Sequence, residues 1–217
     1  MKRQILIVFS LVLITTGLVY AFDDGDFQIW HTQSQELKIT EKKKIELEEG
    51  FRFGDNAESL YYHHYDVGLT HSLNKLDFKI NYRQVYEKKK GKFKEENRPH
   101  INVILKFNLW VLGFSNRHRL EYRCFNYRPN ILRYRNKFSI KFPSIRLAKL
   151  EIQPYLADEI FLNFEGKSFN QNRFYCGFAM KLTKRLKAEL YYLLRRSRHK
   201  NEWKDTNVLG TKMKLVF

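Results

Sequence analysis

Asn207-Val208-Leu209-Gly210-Thr211-Lys212-Met213-Lys214-Leu215-Val216-Phe217 closes the sequence in alternation. Leu209, Thr211, Met213, Leu215 and Phe217 share one face, while Gly210, Lys212 and Lys214 take the other. A period of two is that of a β-strand with unlike faces; on a helix both sets would scatter around the circumference. Similar runs lie upstream, at 27–39, 43–54, 59–72, 75–87, 99–113, 115–127, 131–142, 148–161, 171–182, 186–199 and 205–217. They are longer than the usual soluble strand and reach the ~9–11 residues that a tilted membrane strand needs. Leu186, Leu190 and Leu194 also fit a helix, but Tyr191-Tyr192 favours a strand there.

The polar faces carry the most information. In 99–113, Ile101, Val103, Leu105, Phe107, Leu109 and Val111 oppose Asn102, Ile104, Lys106, Asn108 and Trp110. In 115–127, Arg117, Arg119, Glu121 and Arg123 oppose Leu120, Tyr122 and Cys124. In 131–142, Arg133, Arg135, Lys137, Ser139 and Lys141 oppose Leu132, Tyr134, Phe138, Ile140 and Phe142. A soluble barrel hides its apolar face, whereas a membrane barrel shows that face to lipid and encloses the charges. We expect the second, with a lumen charge network that includes Arg52, Arg83, Arg117, Arg119, Glu121, Arg123, Arg133, Arg135 and Glu159. Glu46, Glu48, Asp66, Asp77, Glu151 and Glu189 are further carboxylates available to it. A narrow barrel is nearly filled by such side chains, so a plugged or very narrow lumen is expected. Trp30, Tyr61, Tyr86, Trp110, Phe114, Tyr127, Phe142, Tyr155 and Tyr192, near run ends, suit interfacial girdles.

Connections alternate in apparent length. Ser72–Lys75, Leu112–Phe114, Pro143–Ile145 and Thr183–Arg185 read as short turns. Gly54–Ser59, Lys88–Arg98, Asn126–Asn130, Asn163–Gln171 and Arg198–Thr206 read as longer polar loops. Outer-membrane barrels put short turns on the periplasmic side and long loops outside. Counting back from Phe217 as a periplasmic end sorts every connection that way. An even strand number is then expected, yet eleven runs are visible; the reading is ten to twelve strands, with 27–39 either two short strands or no stave, or with two runs merged elsewhere.

At the front, Met1-Lys2-Arg3 is basic, Ile5 to Val19 is almost wholly apolar, and Val19-Tyr20-Ala21 offers a cleavage site. That apolar core falls short of the ~20 residues of a spanning helix. The expected organisation is a signal peptide at 1–21 and an outer-membrane barrel domain at 22–217, exported to a Gram-negative cell envelope. A strand ending on Phe217 behind such a signal resembles the barrel-assembly signal of outer-membrane proteins, which implies the assembly machinery as a partner.

Composition agrees with that address. The chain holds 18 Phe and 13 Tyr against 4 Pro, so it carries no disordered or collagen-like signature. With 29% charged residues and mean hydropathy of -0.54, a helical membrane protein is excluded. A barrel tolerates that load because each strand shows only alternate residues to lipid. The net charge of +17 suits polyanions. For an exported protein these are outer-membrane lipid and lipopolysaccharide; no nucleic-acid signature is present. Lys88, Lys89, Lys90, Lys92 and Lys94 form the most basic segment and are candidates for lipopolysaccharide contact. A solvated loop is the plainer account of them. Cys124 and Cys176 fall on apolar faces of non-adjacent runs and are read as unpaired.

Several strings, taken together, resemble a known family. They are Glu49-Gly50-Phe51-Arg52-Phe53, Tyr61-Tyr62-His63-His64, Asn81-Tyr82-Arg83-Gln84, Glu96-Asn97-Arg98-Pro99-His100, Arg119-Leu120-Glu121-Tyr122-Arg123, Arg133-Tyr134-Arg135-Asn136-Lys137, Pro154-Tyr155-Leu156-Ala157-Asp158-Glu159 and Leu190-Tyr191-Tyr192. In order and spacing they resemble the bacterial outer-membrane family numbered 2490 among domains of unknown function. The resemblance implies a β-barrel in the outer membrane and implies no activity, substrate or catalytic residue.

Chemistry is sparse. His63 and His64, with Ser59 and Asp66 nearby, are the sole catalytic candidates, and Ser59 has the opposite parity to His64. No Gly-x-Ser-x-Gly occurs, and no Cys/His spacing suits a metal. No cofactor is expected. The leading function is a non-enzymatic envelope barrel with a charged, largely plugged lumen. The alternatives are a narrow channel for small anions, using Arg117, Arg119, Arg123, Arg133 and Arg135, and a lipid- or lipopolysaccharide-modifying hydrolase.

Overall fold

The computed structural model describes residues 25–147, 150–165, 168–199 and 202–217. The expected signal at 1–21 lies outside them. Every regular element described is a strand: β1 (Asp26–Lys38), β2 (Lys43–Gly54), β3 (Ser59–Leu73), β4 (Leu76–Lys89), β5 (Lys92–Leu109), β6 (Leu112–Phe125), β7 (Ile131–Lys141), β8 (Ile145–Leu147), β9 (Leu150–Asn163), β10 (Ser168–Lys181), β11 (Leu186–His199) and β12 (Glu202–Val216). The 186–199 run is strand, not helix.

Eleven of these close a barrel in sequence order, and the three-residue β8 folds back onto β9. Neighbouring staves pair antiparallel except at one seam, where β1 and β12 run parallel, from Asp26↔Thr206 to Glu36↔Val216. The even count expected from the sequence therefore fails, although eleven lies within ten to twelve. The reason is topological. Hairpin-linked staves alternate in direction, so with an odd number the first and last point the same way and must meet in a parallel ladder. The doubtful 27–39 run is one full stave, β1. At the seam the Phe217 amide donates to the Glu36 carbonyl at 2.9 Å.

The long-loop pattern is also corrected. Most of Lys88–Arg98 is ladder: β4 and β5 pair out to Lys89↔Lys92 around the two-residue turn Lys90-Gly91. β11 and β12 likewise stay paired out to His199↔Glu202. Pairing hydrogen bonds satisfies backbone groups that a loop would leave to water, so a polar, lysine-rich segment is compatible with strand when its partner follows directly. Conversely, Pro143–Ile145 is part of a longer connection that contains β8. One end of the barrel thus carries Phe217, and the other carries the Lys90 hairpin.

The wall has opposite chemistry on its two sides. Leu69, Ile101, Phe178, Leu190 and Met213 are exposed on the outside, and Ile80 is 68% exposed. Their strand neighbours Asn81, Arg83, Asn102, Arg119, Arg173 and Thr70 are buried within. Cys124 and Cys176 are free thiols, as parity implied. The girdle expectation is half corrected: Trp30, Tyr61 and Tyr155 are buried, while Trp110 is 90% exposed. Trp30, Tyr155, Tyr175, Tyr191, Leu193 and Val208 pack as one buried cluster. The lumen therefore has an apolar arc on β9–β12 and β1, interspersed with charges such as Glu159, Arg173 and Lys212, beside a more ionic arc on β2–β7.

Candidate functional site

Alternate residues of a closed barrel must point inward, and in a chain this basic they bring charge with them. Glu121 and Glu159, both 0% exposed, organise the centre. Glu121 accepts from Arg133 Nη2 at 2.6 Å and from Arg135 Nη1 at 2.7 Å, with Arg119 Nη1 at 3.5 Å. Glu159 accepts from Arg117 Nη2 at 2.5 Å, Arg135 Nη2 at 2.8 Å and the Tyr175 hydroxyl at 3.0 Å. Asp66 receives Arg83 Nε and Asn81 Nδ2, each at 2.7 Å, and Glu48 receives Arg83 Nη2 at 2.8 Å. Arg119 Nε donates to Asn102 Oδ1 at 2.6 Å. Buried ions cost several kcal/mol each to desolvate, and shared carboxylates offset that cost only in such dense arrangements.

Nearer the Phe217 end the cations become lysines. Lys214 bridges Glu46 at 2.6 Å and Glu36 at 3.1 Å, Lys79 meets Glu46 at 2.5 Å, and Lys212 meets Glu189 at 2.8 Å. Lys106 pairs with Asp77.

The mouth at the Lys90 end is different. Glu96 takes Arg98 at 2.6 Å and Arg123 at 2.7 Å, but other guanidiniums there rest on rings. Arg52 lies 3.8 Å from the Trp30 centroid and 4.0 Å from that of Tyr62. Arg128 lies 3.7 Å over Phe125. Arg173 sits between Phe161 and Trp30 at 4.7 and 4.9 Å, with Glu159 3.9 Å away. Among the described residues no carboxylate forms an ion pair with Arg52, Arg128 or Arg195. Burial and the charge of Arg123 hold the Arg128 guanidinium, in the connection after β6, below its ordinary pKa.

Three chambers follow the axis. The mouth encloses about 270 Å³, the middle about 160 Å³ and the Phe217 half about 360 Å³. Arg52, Arg83, Arg135 and Arg173 line both mouth and middle, and Thr32, Glu48 and Lys212 line both middle and lower chamber.

All nine residues assigned to the lumen from the sequence lie on the enclosed side. Arg117, Arg123, Arg133 and Arg135 are each matched by a carboxylate rather than converging on open space. His63 and His64 do not share a site. His64 points inward to Glu48 at 3.0 Å, whereas His63 stacks on Tyr86 at 4.8 Å and meets Phe93 edge-on at 5.2 Å on the outer wall. Lys88, Lys89, Lys90 and Lys92 are exposed at the hairpin tip, Lys94 is half-buried, and Lys89 pairs with Glu87 at 2.6 Å. Arg98, Arg128, Arg173, Arg195, Trp30 and Tyr62 were missed as lumen or mouth residues. For Arg173 and Arg195, parity with their run neighbours was the available signal.

A closed eleven-stave barrel with an apolar exterior, an ionic interior and one parallel seam is the class these features define. The chain belongs to the family described as Protein of unknown function (DUF2490), which matches residues 27–206. No curated protein matches it. Among solved structures it is similar to an anion-selective porin from Comamonas acidovorans, with 11% identity and a TM-score of 0.40. That likeness covers 83% of this chain and 55% of the porin, so the chain spans about half the porin's length.

Proposed function

We propose that the chain is an outer-membrane barrel of the bacterial envelope whose lumen is closed by its own ions, and that it serves as a surface-binding barrel rather than a diffusion pore. The observation that carries this is the constricted middle of the lumen, about 160 Å³, beside which Glu121 and Glu159 pair with Arg117, Arg133 and Arg135 across the adjoining staves β6, β7 and β9. Such a network blocks flow and is costly to take apart. The outer apolar face, with Ile80, Ile101 and Phe178 exposed, supports lipid as its solvent, because the alternative is a large contiguous apolar surface in water. In this reading the Lys90 hairpin faces the medium. Lys88 to Lys94 then stand at the height where lipopolysaccharide phosphates would meet them, and the His63–Tyr86–Phe93 cluster lies at the interface just below.

Planar-bilayer recording of the refolded chain tests the closed lumen. No stepwise conductance is expected; steady steps would overturn it. A second reading, a narrow anion channel, is favoured by the arginines and lysines that line successive chambers. Anion-selective steps would establish that reading instead. The hydrolase gains no support, because His63 and His64 face opposite sides of the wall.

A further inference from the structure

Two kinds of arginine share the mouth. Arg98, Arg123 and Arg133 spend their donors on Glu96 and Glu121. Arg52 is held by its faces, between Trp30 and Tyr62, and Arg128 by one face on Phe125. Stacking fixes a guanidinium plane while leaving its edge N–H groups unspent. Two further donors are left over. The Tyr62 hydroxyl is buried, 5% exposed for the residue, and has no partner; the buried Arg195 Nε has none either. Arg52, Tyr62, Arg128 and Arg195 all line the same chamber of about 270 Å³. That is far above the ~10–15 Å³ one water needs. Among the described residues the one carboxylate lining it, Glu87, is engaged by Lys89.

We propose that this mouth is a binding site for a soluble, multiply charged phosphoryl oxyanion, a phosphate ester or diphosphate. Arg52, Arg128 and Arg195 supply guanidinium forks, and Tyr62 supplies a hydroxyl donor. Several oxygens on one centre match several forks, whereas a halide presents one point to all of them. Tyr62, Arg52 and Arg195 lie inside the wall, where a lipid of the surrounding bilayer does not reach them, and Arg128 reaches in from the connection after β6, so the ligand comes from the medium. The site rests on the reading that the wall faces lipid and the Lys90 end faces outward. It does not depend on the lumen being closed below it.

The test is isothermal titration of the full refolded chain in phosphatidylcholine nanodiscs with sodium pyrophosphate, inorganic phosphate and chloride. Heat-modifiable gel mobility checks folding of every variant. Pyrophosphate is expected to bind most tightly and to weaken as salt rises. R52Q, R195Q and Y62F should each lose about tenfold or more, the scale of one hydrogen bond to a charged group. Arg146→Gln, on β8 at the opposite end, should bind as the parent does. No binding of pyrophosphate, or equal affinity in folded R52Q, R195Q and the parent, overturns the site. Nanodiscs carrying phosphatidic acid distinguish the source: unchanged pyrophosphate binding supports a soluble ligand, and competition overturns it. Conductance recorded on the same preparation separates failure of the closed lumen from failure of the site.

Discussion

The centre of the lumen and its mouth hold the same side chain in opposite ways. Around Glu121 and Glu159 each arginine is met by a carboxylate, and the result is a brace between the neighbouring staves β6, β7 and β9. At the Lys90 end, Arg52 and Arg128 are met by rings, and their charge is left standing. The first arrangement serves the barrel; the second is available to a ligand. A count of arginines alone would treat both regions as one basic lumen. Removing part of the first should damage the fold, and removing part of the second should damage binding while sparing the fold.

The largest expected effect comes from that brace. Glu159→Ala leaves the Arg117 charge without a carboxylate and Arg135 with Glu121 alone, a loss on the order of 3–5 kcal/mol. Urea unfolding in micelles, followed by gel mobility, should show a clearly lowered midpoint; an unchanged midpoint would erase the distinction between the regions. Next is the apolar arc. A Cβ at Gly210 would clash with the Tyr191 Cζ, and one at Gly177 would sit 2.6 Å from the Tyr191 Cβ. Gly210→Val should therefore cost about 1–3 kcal/mol through overpacking, read in the same assay. The smallest effect is expected at the mouth. Arg52→Gln and Arg195→Gln should move the midpoint by less than about 1 kcal/mol in either direction, since neither has a carboxylate to strand. A loss as large as that of Glu159→Ala would place both in the brace after all.

How much of this was legible varies by element. Alternation in 115–127 and 131–142 put Arg117, Arg119, Arg123, Arg133 and Arg135 on one face, because a period of two survives any twist of the sheet. The same rule left Tyr191 and Trp30 undecided. An aromatic residue fits a lipid interface and a packed lumen equally well, and only the β11–β12 register brings Tyr191 over Gly210. Arg98 was lost because Lys88–Arg98 reads as loop by composition, while the β4–β5 ladder that makes it strand is a pairing property. The parallel seam was hidden for a related reason. Periodicity says which side of a stave faces in, and says nothing of which stave is its neighbour. Arg52 and Arg195 could be placed from parity, yet their lack of carboxylates depends on the three-dimensional neighbourhood alone.

All of these expectations require lipid outside the wall and the charged face within it. Site-directed spin labelling of the chain in bilayers, with Cys124 and Cys176 replaced by serine, reads that directly. A label at Ile80→Cys, on the exposed outer face, should relax strongly with oxygen and weakly with a water-soluble nickel chelate. A label at Ser197→Cys, lining the mouth, should do the reverse. Chelate access at position 80 combined with oxygen access at position 197 would contradict the account.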